Sequence, residues 1–337
     1  MKNVLVVGAG LSGAVISRLL AESGLYRISV IEKRDEIGGN MFDYTNSKGL
    51  RVHKYGPHLF HTNNENVANF VKKYADWVEY KHKVKAILKD GRYVTLPVNN
   101  ETKNVVGEEN IIETFYRPYS EKMWGMKLEQ LSPDIMNRVP IRDDDNQFYF
   151  PNDKFQLIPV NGYTHFIKEL FNHDAIKVKT NTRFDKKMEN DYDIVFNSMP
   201  IDEYYDFKYG KLEYRSIKFH NLDLPLPRIL PSAVVNFTHN GPYTRITEWK
   251  AIPFHGQNEM YTSLTYEEPC DPQFNNDEKY YPVKDLKGIN RDLYNKYKEI
   301  KNDKVRFIGR LGLYSYLDMD QCINISIQTA KIFLKNN

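Results

Sequence analysis

Three glycines near the start of the chain have the spacing of a phosphate-binding loop. Gly8, Gly10 and Gly13 form a GxGxxG pattern in VVGAGLSGA, between a short apolar run and a helical pattern. The first glycine permits a tight turn, the second lets the backbone approach a pyrophosphate, and the third lets helix and strand pack closely. Glu32 follows 19 residues after Gly13, where a carboxylate can accept hydrogen bonds from ribose hydroxyls. These residues predict a dinucleotide site, and the acidic residue disfavours NADP.

A βαβ unit must position these residues. Residues 3–7 have the pattern of a buried parallel strand, a helix follows at about 13–23, and residues 28–31 form a second apolar strand. In such a unit the phosphates lie at the helix N-terminus, where free N–H groups and the helix dipole favour an anion. This context makes the motif stronger evidence than glycine spacing alone.

A second glycine-rich segment distinguishes between FAD and NAD. EKRDEIGGN, which contains Lys33, Gly39 and Asn40, resembles the extension found in glutathione-reductase-type FAD domains. Gly309 after a late strand, with Asp318 before a final helix, is similar to the C-terminal segment of that class. There the helix dipole faces the flavin pyrimidine and stabilises negative charge on a reduced flavin. The sequence therefore predicts FAD, with an NAD-only domain as the alternative.

Two arginines stand in contexts that favour an anionic ligand. Arg142 follows a Val-Pro-Ile run and Arg310 follows a buried strand and a glycine, so both guanidiniums are expected to face inward. Guanidinium binds phosphate in a bidentate manner, although a single arginine is more often a solvated charge or half of an ion pair. His58 and His61 are three apart without an HExxH pattern or a clear third ligand, so we predict no metal site.

Bulk composition excludes several classes of function. A net charge of +3 gives no support for a nucleic-acid partner, and the lack of an apolar run of about 18 residues predicts no membrane span. Cys270 and Cys322 lack CxxC spacing, so we expect reduced thiols in a cytoplasmic protein. The 24 Tyr and 18 Phe suit a site that stacks on rings and binds hydroxyl groups.

Periodicity in the rest of the chain predicts a second sheet and several helices. An amphipathic helix is expected at 66–80, a hairpin at 84–96 with Asp90-Gly91 as its turn, a helix at 108–119 and a strand-like segment at 145–157. Further strands are predicted at 176–180, 192–196, 233–237, 243–248, 260–266 and 305–308, and helices at 163–171, 286–300 and from about 320.

The complete set of motifs resembles bacterial UDP-galactopyranose mutases. The resemblance is carried in chain order by GAGLSGA, EKRDEIGGN, HKYGPHLFHT, YSEKMWG, VPIR, IPVNGYT, LEYRSIKF, VVNFT, PYTRI, YYPV and GRLGLYSYLDMDQ. Members of that family interconvert the pyranose and furanose rings of a nucleotide sugar by covalent catalysis through N5 of reduced FAD. The resemblance implies the same activity, on UDP-galactose or an analogue such as UDP-N-acetylgalactosamine, with a reductant for the flavin. A deoxy sugar is also compatible with the motifs.

The resemblance also implies roles for individual residues. Arg142, on a mobile loop, and Arg310 would hold the diphosphate, and His58 and His61 would line the flavin N5 side; these four are the predicted catalytic residues. Arg245 is expected to support residues that contact the substrate and not to contact the substrate itself. Substrate binding is assigned to Tyr119, Trp124, Phe155, Arg215, Asn236, Tyr280, Tyr281, Tyr316 and Asp318. Cofactor binding is assigned to Gly8, Gly10, Ser12, Gly13, Glu32, Lys33, Gly39, Asn40, His58, Gly309, Arg310, Asp318 and Met319.

The predicted fold class is α/β, with an FAD-binding Rossmann-like domain of the glutathione-reductase type, an antiparallel β-sheet substrate domain and a small, reduced helical domain. The boundaries are 1–65, 172–215 and 300–337 for the first, 81–99, 136–171 and 216–299 for the second, and 66–80 and 100–135 for the helical domain with its mobile loop. The interval from Pro97 to Tyr119 is much shorter than the family's helical domain. That domain carries the family's dimer contacts, so the oligomeric state is left open.

Two other functions are compatible with the sequence. An FAD-dependent oxidase or dehydrogenase of the same fold would need no paired arginines for a diphosphate. A non-catalytic nucleotide-sugar-binding flavoprotein would bind the ligand without turnover, and the shortened helical domain motivates that alternative. Phe155, Met126 and Ser198-Met199-Pro200 stand where the family commonly has Tyr, Arg and Thr-Gly-Pro, and these changes bear on the base, the sugar or the closure of the site.

Overall fold

The computed structural model describes residues 1–133, 135 and 139–336. The strands, in chain order, are β1 (Lys2–Val7), β2 (Tyr26–Ile31), β3 (Asp43–Thr45), β4 (Arg51–His53), β5 (Phe60–Thr62), β6 (Trp77–Glu79), β7 (Val84–Ile87), β8 (Tyr93–Leu96), β9 (Phe155–Pro159), β10 (Ile176–Lys179), β11 (Ile194–Asn197), β12 (Tyr214–Leu224), β13 (Val234–Phe237), β14 (Arg245–Glu248), β15 (Thr262–Cys270), β16 (Tyr281–Pro282) and β17 (Val305–Phe307). The described α-helices are α1 (Leu11–Glu22), α2 (Glu65–Lys72), α3 (Asn100–Val106), α4 (Arg117–Trp124), α5 (Tyr163–Phe171), α6 (Ile201–Tyr204), α7 (Ile289–Lys298), α8 (Gly309–Gly312) and α9 (Met319–Lys335).

A five-stranded parallel sheet in the order β10-β2-β1-β11-β17 carries the N-terminal βαβ unit. Val4, Leu5 and Val6 are fully buried, as expected of a parallel strand covered on both faces. Helix α1 packs against α9 on one face, and strand residues 3–7 and 28–31 lie where the sequence predicts them. The predicted α/β class with a Rossmann-like unit is confirmed.

A seven-stranded sheet in the order β16-β12-β15-β14-β13-β7-β8 forms the second layer. The β7–β8 hairpin turns at Asp90-Gly91 as predicted. Neighbouring strands are antiparallel except β7 and β13, which are parallel, so the sheet is mixed and not purely antiparallel. Strand β12 was not predicted because its apolar residues, Ile217 and Phe219 and then Leu222 and Leu224, do not keep a single alternating phase, and residues 220–223 are exposed.

The short helical segment packs directly on this sheet. Ile111, Phe115 and Tyr116 lie in one apolar cluster with Val84 and Val234, so the sheet itself supplies the helical segment's core. The predicted helix at 108–119 is broken into a 3-10 turn, a π-helical turn at Ile112–Tyr116 and the start of α4. π-helical turns often occur at functional sites, and this one immediately precedes the helix that carries Tyr119.

Two other predicted segments differ from the structure. The helix expected at 66–80 ends at Lys72, and Trp77–Glu79 forms β6, because the aromatic and β-branched WV pair fits a pleated surface. Of the strand-like segment 145–157, only the part beginning at Phe155 is a strand.

Two helices pack in a different unit from the one predicted. Helix α2, placed by prediction in the helical domain, buries Val67 and Val71 in the cluster that contains Val4 and Val6. Helix α5, placed by prediction in the sheet domain, packs on α1 in the same cluster. Both helices therefore cover the parallel sheet.

Candidate active site

The loop between β1 and α1 has no room for side chains at its key glycines. Gly8 has φ +101°, and a Cβ there would lie 2.0 Å from Ser198 Oγ. A Cβ on Gly13 would lie 2.1 Å from the Gly8 carbonyl oxygen, so the close approach of α1 to the loop requires glycine. The helix therefore presents its backbone N–H groups at the end of the strand, where a phosphate is favoured.

The second glycine-rich segment packs against this loop. The Gly38 N–H donates to the Ala9 carbonyl at 2.9 Å, and a Cβ on Gly39 would lie 3.0 Å from Gly10 Cα. Glu32 is 7% exposed, and its carboxylate accepts the N–H groups of Ala9 at 2.9 Å and Arg34 at 3.0 Å. Glu32 thus ties the end of β2 to the glycine loop.

The loop and segment open into a cavity of about 360 Å³, within the size range of ligand sites. It contains all predicted cofactor residues except Asp318: Gly8, Gly10, Ser12, Gly13, Glu32, Lys33, Gly39, Asn40, His58, Gly309, Arg310 and Met319. Its wall carries four cations and four carboxylates, namely Lys33, Arg34, Arg183 and Lys279 with Glu32, Glu203, Asp277 and Glu278. The two glycine segments, with the backbone N–H groups at the start of α1, fit the pyrophosphate of a dinucleotide.

Ion pairs hold residues 278–279, which lie in the connection between β15 and β16, against this cavity. Glu278 pairs with Arg34 at 2.5 Å and with Lys33 at 3.4 Å. Lys279 pairs with Glu203, which lies in α6. Because Glu278 and Lys279 line the cavity as well, these pairs join the two layers around the dinucleotide site.

A second cavity of about 610 Å³ adjoins the first. His58, Arg310 and Met319 line both cavities, so a ligand in one would meet a ligand in the other at these three residues. The predicted residues in the second cavity are His58, His61, Tyr119, Trp124, Asn236, Tyr281, Arg310, Tyr316 and Asp318. The structure therefore brings together residues from five separate motifs.

Arg310 stands at the junction of the two cavities. Its Nη2 donates to the Leu317 carbonyl at 2.6 Å and its Nη1 to the Tyr280 carbonyl at 3.3 Å. The rings of Tyr281 and Tyr316 are stacked with centroids 5.1 Å apart, and the guanidinium carbon lies 5.1 Å from each ring centroid. These contacts fix a planar cation where an anionic group would be held.

Arg245 supplies a second cation to the substrate cavity. It lies on β14 directly opposite Asn236 on β13, and both residues line the cavity. Its Nε is 2.7 Å from Oε1 of Glu267, a carboxylate that is 1% exposed. The sequence predicted only a supporting role for Arg245, whereas the structure places it on the cavity wall.

His58 is held in one tautomer by its neighbours. Its Nδ1 lies 2.8 Å from the Gly56 carbonyl, which can only accept, so Nδ1 carries the proton. Burial lowers the pKa of His58 to about 4, so the ring is neutral at pH 7 and Nε2 is an acceptor. The His58 backbone N–H donates to Nδ1 of His53 at 3.1 Å, and His53 in turn contacts Nε2 of His255 at 2.8 Å.

His61 lies on the substrate side of the junction. Its Nδ1 is 2.6 Å from Oδ2 of Asp153, and its ring stacks on Phe150 with centroids 3.6 Å apart. The other carboxylate oxygen of Asp153 accepts from the Asn63 amide at 2.9 Å. The histidine is therefore oriented by a carboxylate that is itself fixed.

Four predicted residues lie outside both cavities. The Arg142 guanidinium is 8% exposed and donates to the carbonyls of Phe148 and Asn146, so it stabilises the turn at 142–148 in this conformation. Arg215 binds the end of α4 and Asp271. The ring of Phe155 lies against Lys72 and Lys154. Tyr280 packs on Tyr55 and Phe219, whereas the next residue, Tyr281, lines the substrate cavity.

Sequence reasoning missed several cavity residues. His82 is 4% exposed, and burial lowers the pKa of His82 to about 3, so it is a neutral polar group in the wall. Tyr149 and Phe150 also line the cavity from the aromatic run QFYF. The sequence analysis placed that run in a strand-like segment. The proline that follows it, Pro151, breaks regular structure and was the signal that could have indicated a loop with aromatic side chains.

Comparison with known proteins places the chain in a family. A family model described as UDP-galactopyranose mutase matches residues 114–316, and a model of an NAD(P)-binding Rossmann-like domain matches 6–74. The chain is 35% identical to a "Probable UDP-galactopyranose mutase" of Klebsiella pneumoniae, covering 99% of this chain and 95% of the relative. It is also 35% identical to a dTDP-fucopyranose mutase of Escherichia coli, covering 100% of both.

A solved structure agrees with these relatives. The crystal structure of a reduced UDP-galactopyranose mutase superposes with a TM-score of 0.78 at 16% identity, covering 100% of this chain and 96% of that one, which shows the same fold. The neighbours imply a flavin cofactor and a nucleotide-sugar substrate. Within residues 1–133, 135 and 139–336, no helix is long and apolar enough to span a membrane. The chain belongs to the UDP-galactopyranose mutase family.

Proposed function

We propose that this protein interconverts the pyranose and furanose forms of a nucleotide sugar, with UDP-galactose as its first candidate substrate. The observation that carries the proposal is the sharing of His58, Arg310 and Met319 by the dinucleotide cavity and the substrate cavity. Reduced FAD, when bound, supplies N5 for covalent catalysis at the anomeric carbon. The protein's own part is to hold the sugar against that atom and to retain the diphosphate.

Retention of the diphosphate is assigned to cations on two walls. Arg310 approaches from the flavin junction, and Arg245 approaches from the β13–β14 hairpin. A leaving diphosphate gains negative charge as its bond to the sugar breaks, so fixed guanidiniums stabilise the departed state and keep the group in place for its return. Arg142 remains a proposed catalytic residue. To reach the diphosphate, its guanidinium must leave the carbonyls of Phe148 and Asn146 to which it donates.

The remaining site residues keep the roles that the family resemblance implies. Tyr119 is proposed to stack on the base, Trp124 to lie beside the sugar, and Tyr281 and Tyr316 to contact the phosphates. The neutral His58 presents an acceptor nitrogen at the junction, which suits a hydrogen-bond donor on a reduced flavin or on the sugar. We place the activity in the cytoplasm and leave the natural reductant and the oligomeric state open.

A dTDP-6-deoxy sugar is the second candidate substrate. The dTDP-fucopyranose mutase of Escherichia coli matches over its whole length at the same identity as the galactose-type relative. Part of the lining of the substrate cavity is aliphatic, and includes Val84, Leu96, Val98 and Val234. Burial of the extra methyl group of thymine there would contribute about 0.8 kcal/mol, or roughly a fourfold preference over uracil.

Turnover under controlled redox conditions tests the proposal. Purified FAD-loaded protein is incubated with UDP-galactofuranose or dTDP-fucofuranose, with and without dithionite, and products are separated by chromatography. We expect conversion to the pyranose form only with dithionite. Binding of the sugar nucleotides without any conversion by the reduced protein would indicate a non-catalytic binding protein, and oxidation of the sugar would indicate an oxidase or dehydrogenase.

A further inference from the structure

Helix α4 carries two aromatic side chains of the substrate cavity, Tyr119 and Trp124. The helix has 8 residues and ends at Trp124, and Gly125, which follows it, has φ +65°. The last carbonyl groups of a helix have no partners within it, so they must be satisfied from outside. Helix α4 continues from the π-helical turn Ile112–Tyr116, and a helical segment of this combined length is only marginally stable alone, so its position depends on its neighbours.

Arg215 satisfies the C-terminal end of α4. Its Nε donates to the Met123 carbonyl at 2.9 Å and its Nη2 to the Lys122 carbonyl at 3.4 Å. Its Nη1 forms an ion pair with Asp271, and the residue is 7% exposed. A Cβ on Gly125 would lie 2.8 Å from Nη1, so glycine at that position admits the guanidinium. Cations at a helix C-terminus also interact favourably with the helix dipole.

Lys122 binds the helix to the turn between β13 and β14. Its Nζ donates to three backbone carbonyls, those of Phe237 at 3.3 Å, His239 at 3.2 Å and Tyr243 at 2.8 Å. These carbonyls belong to the turn between β13 and β14, the two strands that carry Asn236 and Arg245. Three acceptors match the three N–H donors of an ammonium group, so this contact is geometrically complete.

We propose that Arg215 and Lys122 are positioning residues that fix the aromatic wall of the substrate cavity by clamping α4 between β12 and the β13–β14 turn. Arg215 acts through the helix carbonyls, and Lys122 acts through the turn that directly precedes Arg245. This inference replaces the direct substrate contact predicted for Arg215. Its kinetic consequence rests on the proposed function, but its structural consequence does not.

The short helical segment explains why such a clamp is needed. Residues 100–124 pack on the sheet through Ile111, Phe115 and Tyr116, all on the N-terminal side of α4. At the other end of α4, Met123 and Trp124 lie in a separate cluster with Ile217 and Tyr280. Directional bonds from two cations define the rotation and height of the helix, which apolar contacts alone leave less well specified.

Fluorine NMR tests the structural part. The FAD-loaded protein is labelled with 5-fluorotryptophan, and its three tryptophans, Trp77, Trp124 and Trp249, give three resonances. We expect Lys122→Met and Arg215→Met to shift or broaden the Trp124 resonance while the other two stay unchanged. Arg117→Met is the matched control, since Arg117 lies on the same helix but pairs only with glutamates that include the exposed Glu113 and Glu129. Unchanged Trp77 and Trp249 resonances show that each variant is folded.

Kinetics on the same variants tests the functional part. We expect KM for the nucleotide sugar to rise about tenfold in both clamp variants, kcat to change less than KM, FAD content to be unchanged, and Arg215→Lys to recover part of the loss. A Trp124 resonance that is the same in the clamp variants as in Arg117→Met would overturn the proposal, as would wild-type KM values. If the wild-type protein showed no turnover, the proposed function would fail while the NMR comparison still decided the clamp.

Discussion

Replacement of Arg310 by alanine removes the cation that the two cavities share. In the structure its guanidinium is held by two carbonyls, at 2.6 and 3.3 Å, and lies 5.1 Å from the rings of Tyr281 and Tyr316. A fixed donor aimed at charge that develops in the transition state is worth about 2.7–4 kcal/mol. Since about 1.4 kcal/mol corresponds to a factor of ten, we expect kcat to fall by roughly 100- to 1,000-fold.

The assay is chromatographic turnover of the dithionite-reduced protein, with FAD content measured from the visible spectrum of each preparation. Arg306→Ala is the matched control, because Arg306 lies on β17 and its side chain is exposed. We expect Arg306→Ala to behave like the wild type. If Arg310→Ala retained full FAD and kept activity within a few fold of the wild type, the assignment of Arg310 as a diphosphate ligand would be wrong.

Three further predictions follow from the geometry. Trp124→Ala should weaken binding of the nucleotide sugar more than binding of FAD, measured by titration of both ligands; equal losses would argue for a structural tryptophan. Gly39→Ala should abolish FAD retention during purification, since its Cβ would lie 3.0 Å from Gly10 Cα and its φ is +57°; a normal FAD content would contradict the packed-loop account. Burial lowers the pKa of His82 to about 3 and of His255 to about 4, so between about pH 6.5 and pH 4 the unfolded chain binds protons that the folded chain does not. The free energy of unfolding should therefore fall on acidification through that range by about 2–3 kcal/mol per histidine, and a flat urea-midpoint profile would show that these rings are not buried and neutral.

Much of the nucleotide site was predictable because its physics is local. Gly8, Gly13 and Glu32 act through a single βαβ unit, and the spacing of that unit is written directly in the sequence. The seven-stranded sheet was harder to predict from the sequence. Strand β12 is exposed at residues 220–223 and its apolar alternation changes phase there, and the parallel pairing of β7 with β13 joins strands far apart in the chain.

The substrate site shows where motif reasoning ends. The family resemblance assigned Arg142 to catalysis and Arg215 to substrate binding, and it gave Arg245 only a supporting role. In the structure, Arg142 and Arg215 bind backbone carbonyls while Arg245 faces the cavity. Whether an arginine binds backbone carbonyls or a ligand depends on which carbonyls a nearby turn or helix end leaves without partners. Those neighbours are set by the tertiary structure and not by the local motif.

The most direct test of the central claim asks whether the flavin is used without being consumed. The protein is reduced anaerobically with dithionite until each flavin has taken up two electrons, excess reductant is removed, and UDP-galactofuranose is added while flavin absorbance and product are followed together. We expect many product molecules per flavin, with the flavin still reduced at the end. Reoxidation of the flavin in proportion to substrate consumed would contradict it and would identify a redox enzyme on the same fold.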